Sequence, residues 1–148
     1  MTNRRLFAVL LSAALLLILA VQVQAAGKQE IKGAAILDHP CGKVAVKHMG
    51  LVHAGKMEEA TKLGTPEMQD EWKKMPAEDQ KMMSGMMKEM SKTEAQFSAD
   101  IKASGVLVVE GDTATLTVKQ EHKDDNGTST ETTTHKYKID GKTCLISR

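Results

Sequence analysis

An α+β fold, with N-terminal helices packed on a curved antiparallel sheet, is predicted by two features of the chain. Apolar residues recur at helical spacing over about 40–91, and from about 95 to 147 the pattern becomes strands. The second stretch is divided by turn signals at Ser104-Gly105, Gly111-Asp112, Asn126-Gly127 and Asp140-Gly141. Helices first and strands afterwards is the order expected of an α+β layout. The 148 residues suit one domain, expected over 38–148.

The start of the chain reads differently. Arg4 and Arg5 precede an apolar run from Leu6 to Val23, and Val23, Ala25 and Ala26 close it with small residues. A charged start, an apolar middle and a small-residue exit are the layout of a secretory signal peptide over 1–25. Retention as an anchor is the alternative, because the run borders on a spanning length. No Cys follows the run to accept a lipid. Residues 26–37 then read as a linker, and the mature protein is expected in the periplasm or secreted. Removing Arg4 and Arg5 from the 20 Lys+Arg leaves a near-neutral chain against 19 Asp+Glu. A strongly basic nucleic-acid binder is thereby excluded, and no second stretch is long enough to span a membrane.

Helix starts and stops can be placed in order. Asp38 or His39 can cap the first helix, with Pro40 in its first turn. Val44, Ala45, His48, Met49 and Val52 then share a face until Gly55. Lys56 to Leu63 makes a second helix with Met57, Ala60 and Leu63 inward. Thr65-Pro66 opens a third running to Lys74, with Met68 and Trp72 one turn apart. Met75-Pro76 breaks it, and Pro76 to about Met90 forms the longest helix.

In the strand half, Asn126-Gly127 favours a two-residue type I′ hairpin. Centring the pairing there sets Val118 opposite His135, Leu116 opposite Tyr137 and Ala114 opposite Ile139. Thr115 and Thr117 then meet Lys138 and Lys136 on a polar face. The Asp140-Gly141 turn likewise sets Cys144 opposite Tyr137 and Ile146 opposite His135, all on the inward face. Cys41 and Cys144 are the only cysteines. An isolated pair in an oxidising compartment is most simply a disulfide, and a Cys starting the first helix can meet an inward Cys of the last strand. Two separate buried thiols are the alternative.

Three stretches carry a family resemblance. They are Val44–Ala60, containing Gly55-Lys56-Met57-Glu58-Glu59-Ala60; Gly111-Asp112-Thr113-Ala114-Thr115-Leu116-Thr117-Val118; and Tyr137-Lys138-Ile139-Asp140-Gly141. Together they resemble the exported cystatin-like, or nuclear-transport-factor-2-like, domains of unknown function of bacterial envelopes. The chain departs from that pattern where Cys144-Leu145-Ile146 stands in place of a Trp-bearing strand. The resemblance implies a sheet curved around helices as a cone or roll, with a cavity at one end. Such a fold hosts enzymes, carriers and adaptors alike, so it does not choose a function.

Nine of the ten methionines lie beyond the leader, and Met82, Met83, Met86, Met87 and Met90 fall on one arc of the longest helix. Flexible thioether side chains suit irregular cores and adaptable grooves. The leading expectation is therefore a non-catalytic exported domain that binds a small apolar ligand or a protein partner. Its groove would lie between helices and sheet, lined by Trp72, Met82, Met83, Met86, Met87, His135 and Tyr137. A first alternative is Cu(I) binding by Met82, Met86 and Met90 with a histidine, since thioethers are soft donors. A second is an isomerase- or cyclase-like enzyme using His135 as acid or base and Tyr137 as an oxyanion donor. No inward carboxylate completes such a set, and His48 and His53 are not an i, i+4 ligand pair, so no cofactor is expected. Edge-strand pairing could give a homodimer. The charge run Glu121 to Asp125 reads as a solvated hairpin tip, and Thr128 to Thr134 as exposed strand. Asn126-Gly127-Thr128 fits a glycosylation acceptor, but a turn is sufficient reason for it.

Overall fold

A computed structural model describes residues 27–124 and 127–148, without the side chains of residues 121–124. The expected leader, 1–25, and the Asn126 acceptor lie outside the described residues, as do the side chains of the Glu121 to Asp125 run.

The first helix begins as its sequence suggests. The His39 Nδ1 accepts from the Cys41 backbone N–H at 3.2 Å, and Pro40 occupies the first turn of α1, Pro40–His53. Next come α2, Met57–Thr61, and α3, Pro66–Lys74, the latter opened by Thr65-Pro66. Met75-Pro76 separates α3 from α4, Ala77–Met90. Ala45, Val52, Met57 and Ala60 are buried as the helical spacing requires.

A fifth helix, α5, Glu94–Ser104, replaces the strand expected from about residue 95. Phe97, Ala99, Ile101 and Ala103 alternate with polar residues, so this stretch satisfies a strand period as well as a helical one. The capping box decides between them. The Thr93 side chain accepts from the Gln96 N–H at 3.2 Å, and the Gln96 side chain accepts from the Thr93 N–H at 3.0 Å. As a helix the segment fully buries Phe97 and Ile101, a gain of about 1.5–3 kcal/mol each, while Ala99 and Ala103 stay exposed.

The sheet is an open antiparallel meander with its strands in sequence order. Its strands are β1, Gln29–Lys32; β2, Val106–Glu110; β3, Thr113–Asp124; β4, Gly127–Asp140; and β5, Thr143–Ser147. The linker expected over 26–37 is therefore structured. It supplies β1 and a 3-10 helix, Gly33–Asp38, whose Ile36 is fully buried. β1 carries a single apolar residue, Ile31, too little for a period to show.

Both predicted hairpin registers shift by two residues. Leu116 pairs with His135 and Ala114 with Tyr137, while Val118 faces Thr133 and Thr115 and Thr117 face Lys136 and Thr134. Tyr137 pairs with Ile146 and Ile139 with Cys144. Gly127 is the first residue of β4, paired with Asp124, rather than the second residue of a turn centred on Asn126-Gly127. The β4–β5 turn is Gly141-Lys142, with Gly141 at φ 60° and, among the described residues, no non-glycine residue at positive φ. That is the type II′ pattern, with glycine at the first central position, whereas the sequence reading centred the turn one residue earlier. A shift of two keeps every side chain on its face, so the sorting into apolar and polar faces stands.

Leu107, Ala114, Leu116, Val118, Tyr137 and Cys144 form the buried sheet face. Ile36, Cys41, Ala45, Phe97 and Ile101 cover it from the helical layer. The Cys41–Cys144 disulfide joins α1 to β5 at a Cα–Cα distance of 5.0 Å. Outside β5, the Ile146 N–H donates to the Leu63 carbonyl and the Thr65 N–H to the Ile146 carbonyl, both at 2.9 Å. The link between α2 and α3 thus covers that sheet edge. No helix among the described residues is long and apolar enough to cross a membrane.

Candidate functional site

Because α1, α5 and the 3-10 helix already occupy the inner sheet face, α4 cannot reach it and rests on α1 instead. The residues expected to line one groove between the methionine helix and the sheet separate into three groups.

Tyr137 belongs to the core, and His135 is half-buried beside Phe97. Tyr137 is 2% exposed, and burial pushes its hydroxyl well above the usual phenol range. His135 meets the Phe97 ring edge-on, with centroids 5.6 Å apart, and its Nε2 is buried without a hydrogen-bond partner. Burial pulls its pKa down. An acid–base pair needs access to a substrate, and Tyr137 is closed off beneath the helical layer.

Met82, Met86 and Met90 turn outward on α4 and are 62, 57 and 82% exposed. The copper alternative built on that row therefore lacks an enclosing wall. Met83, Met87 and Trp72 form the third group, and they do meet. They line a pocket of about 170 Å³ bounded by α1, α2, α3, α4 and the end of β5.

Each element contributes for a local reason. The loop after α1 turns at Gly55, where φ is 75°, and delivers Met57 and Ala60 from α2. Met68 and Trp72 stand one turn apart on α3, and Met75 ends that helix at the Met75-Pro76 break. The Gln80 side-chain amide fastens α4 here by donating to the Trp72 and Met75 carbonyls at 2.9 and 3.0 Å. That bond fixes which edge of the methionine arc points inward, namely Met83 and Met87. His48 of α1 completes the wall, and burial, reinforced by neighbouring His135, lowers its pKa to about 4, so its imidazole is neutral at pH 7. Arg148 and Glu71 form an ion pair on the lining.

Five methionines thus share one pocket: Met57, Met68, Met75, Met83 and Met87. Met57, Met68 and Met75 were not among the predicted site residues. Met57 and Met68 carried the signal of inward helical positions, while Met75 stood at a break and carried none. A second, more polar pocket of about 480 Å³ shares Met57, Thr61 and Trp72 as a common wall and is edged by Lys62, Lys73 and Lys81.

No known protein family, curated protein or solved structure matches this chain. The site is therefore read from its own chemistry. Its lining is thioether and indole, with one neutral imidazole and one ion pair. It offers dispersion contacts and soft lone pairs rather than nucleophiles. Among the described residues, no three His, Cys, Asp or Glu side chains cluster as a site for a harder metal ion.

Proposed function

We propose that this protein is an exported, non-catalytic binding module that holds a small apolar ligand in the methionine-lined pocket. The observation that carries this reading is the gathering of five thioethers and Trp72 from three helices and a loop around about 170 Å³ of space. Dry apolar cavities of roughly 150 Å³ take up a molecule the size of benzene. The ligand, or the part of it that enters, is then of one-ring size. Unbranched methionines can repack around different occupants, and Glu71 with Arg148 would orient a polar end. A larger ligand would extend past Trp72 into the lysine-edged pocket.

Export is supported by the leader-like start of the sequence and by the disulfide, which persists in oxidising compartments. The periplasm is the compartment we infer. The cystatin-like reading is supported by the order of helices and meander and by one sheet face covered with helices.

Trp72 is the only tryptophan, so its indole signal reports on the pocket without labelling. Titration with toluene, followed by nuclear magnetic resonance of the Trp72 indole and the methionine methyls, is expected to give saturable shifts at Met57, Met83 and Met87. The Met87→Lys variant should lose them while keeping its circular dichroism spectrum. Shifts that never saturate, or that persist unchanged in Met87→Lys, would refute the reading.

A further inference from the structure

Methionine sulfur is a soft donor that binds Cu(I) far better than it binds Mg²⁺, Ca²⁺ or Zn²⁺. A pocket walled by thioethers can therefore select a metal by donor softness alone. Met57 is buried, Met68, Met75 and Met87 are half-buried, and Met83 lines the same space while remaining 38% exposed. Four of the five come from the helices α2, α3 and α4, and the Gln80 side chain ties α4 to the end of α3. Thiolates would outcompete thioethers for a soft ion, but both cysteines are tied in the disulfide and no free cysteine is present. The carboxylate of Glu71, the hard donor on the lining, is paired with Arg148.

We propose that the pocket is a site for one soft monovalent metal ion of the Cu(I) and Ag(I) class, held by thioethers of Met57, Met68, Met83 and Met87. The inference rests on the reading of this pocket as the binding site and adds, beside the apolar ligand, a second class of occupant that the same lining would take. It also moves the metal-binding methionines from the outward row, Met82, Met86 and Met90, to the inward set. The outward row has i, i+4 spacing on one helix face, but among the described residues all three side chains stay more than half exposed.

The test uses the full mature chain, oxidised, with Ag(I) in chloride-free buffer and Cu(I) in competition with a chromogenic chelator. Native mass spectrometry should show one metal ion per chain, and the Trp72 emission should change in step. Two Leu variants separate the sites, because Leu nearly conserves methionine's volume and removes only the sulfur. Met83→Leu/Met87→Leu should weaken metal binding at least about 10-fold, the smallest loss that even indirect partners of a metal site commonly cause. Met82→Leu/Met86→Leu/Met90→Leu should bind as the parent does. The single variant Met57→Leu repeats the test from another helix should the double variant fold poorly. No metal uptake, or uptake lost only with the outward row, overturns the proposal. Toluene shifts run on the same samples keep the two readings apart. If toluene saturates the pocket but the metal does not bind, the metal proposal alone fails, and if neither binds, the pocket reading fails with it.

Discussion

Breaking the Cys41–Cys144 bridge should loosen both the fold and the pocket, since α1 and β5 each contribute to the pocket wall. The two cysteines are 103 residues apart in sequence, nearly the whole of the described chain. Closing a loop of that length in the unfolded state costs about 4–5 kcal/mol in the chain-entropy model, which is the stabilisation the cross-link can confer. Small domains have only about 5–15 kcal/mol in total, so the bridge supplies a large fraction. Both sulfurs are buried, so a Cys41→Ala/Cys144→Ala variant adds a packing loss to the unlinking. Reduction avoids that confusion because every atom stays except the bond. Urea unfolding of the oxidised and reduced protein, each verified by intact mass as differing by two hydrogens, isolates the cross-link. The expected loss is up to about 4–5 kcal/mol, equivalent to a fall in Tm of roughly 15–20 °C for a domain of this size. Toluene affinity should fall in parallel, because Ile146 lies on the strand that the bridge holds and Arg148 directly follows it. A loss below about 1 kcal/mol would refute the reasoning, since it would mean that α1 and β5 stay together in the unfolded chain without the bond.

Further outcomes follow from other parts of the fold. Burial holds the folded His48 near pKa 4 against an ordinary 6.5, so the unfolded chain takes up the proton first as pH falls. Stability is then complete above about pH 6.5 and is lost toward pH 4, by roughly 2 kcal/mol between pH 7.5 and 5. His48→Leu should flatten most of that slope in urea titrations, and equal slopes would contradict the burial argument. At Gly42 a Cβ would lie 1.8 Å from the Ile36 carbonyl oxygen, so Gly42→Ala should cost about 1–3 kcal/mol or more by forcing α1 off the 3-10 helix. Thr93→Ala removes the α5 capping box and should cost about 1 kcal/mol, with early loss of amide protection at Gln96 and Phe97 in hydrogen exchange.

Legibility in the sequence divides along a physical line. Features set by a period or by a backbone rule could be read directly. The bounds of α1 and α3 follow from His39-Pro40 and Thr65-Pro66, and the inward residues of β3 and β4 follow from alternation. Features set by a choice between two locally adequate patterns could not. The segment from Phe97 to Ala103 fits both periods, and only the Thr93–Gln96 box breaks the tie. Hairpin register depends on whether glycine takes the first or second turn position, and Gly141 takes the first. Alternation cannot detect an error of two residues, because it returns the same faces. The site was partly legible for a related reason. A helical wheel shows that five methionines of α4 share an arc, but the inward edge of that arc is set by Gln80 reaching the carbonyls of α3, a contact between elements.

The scarcity of aromatic residues explains why methionine fills this role. Phe97 and Tyr137 are spent in the main core, which leaves Trp72, beside the His48 imidazole, as the large ring in the space between α1, α2, α3 and α4. The space these four helices leave between them is one that branched side chains would fill in one arrangement only. Unbranched thioethers close it in several arrangements of similar energy. A Leu-lined version of this pocket should accordingly gain rigidity and lose range. Met57→Leu/Met83→Leu/Met87→Leu is expected to keep toluene binding but to discriminate more sharply between toluene and a bulkier naphthalene probe. Equal discrimination by parent and variant would show that the methionines serve as fixed packing, with no part in adapting the pocket to its occupant.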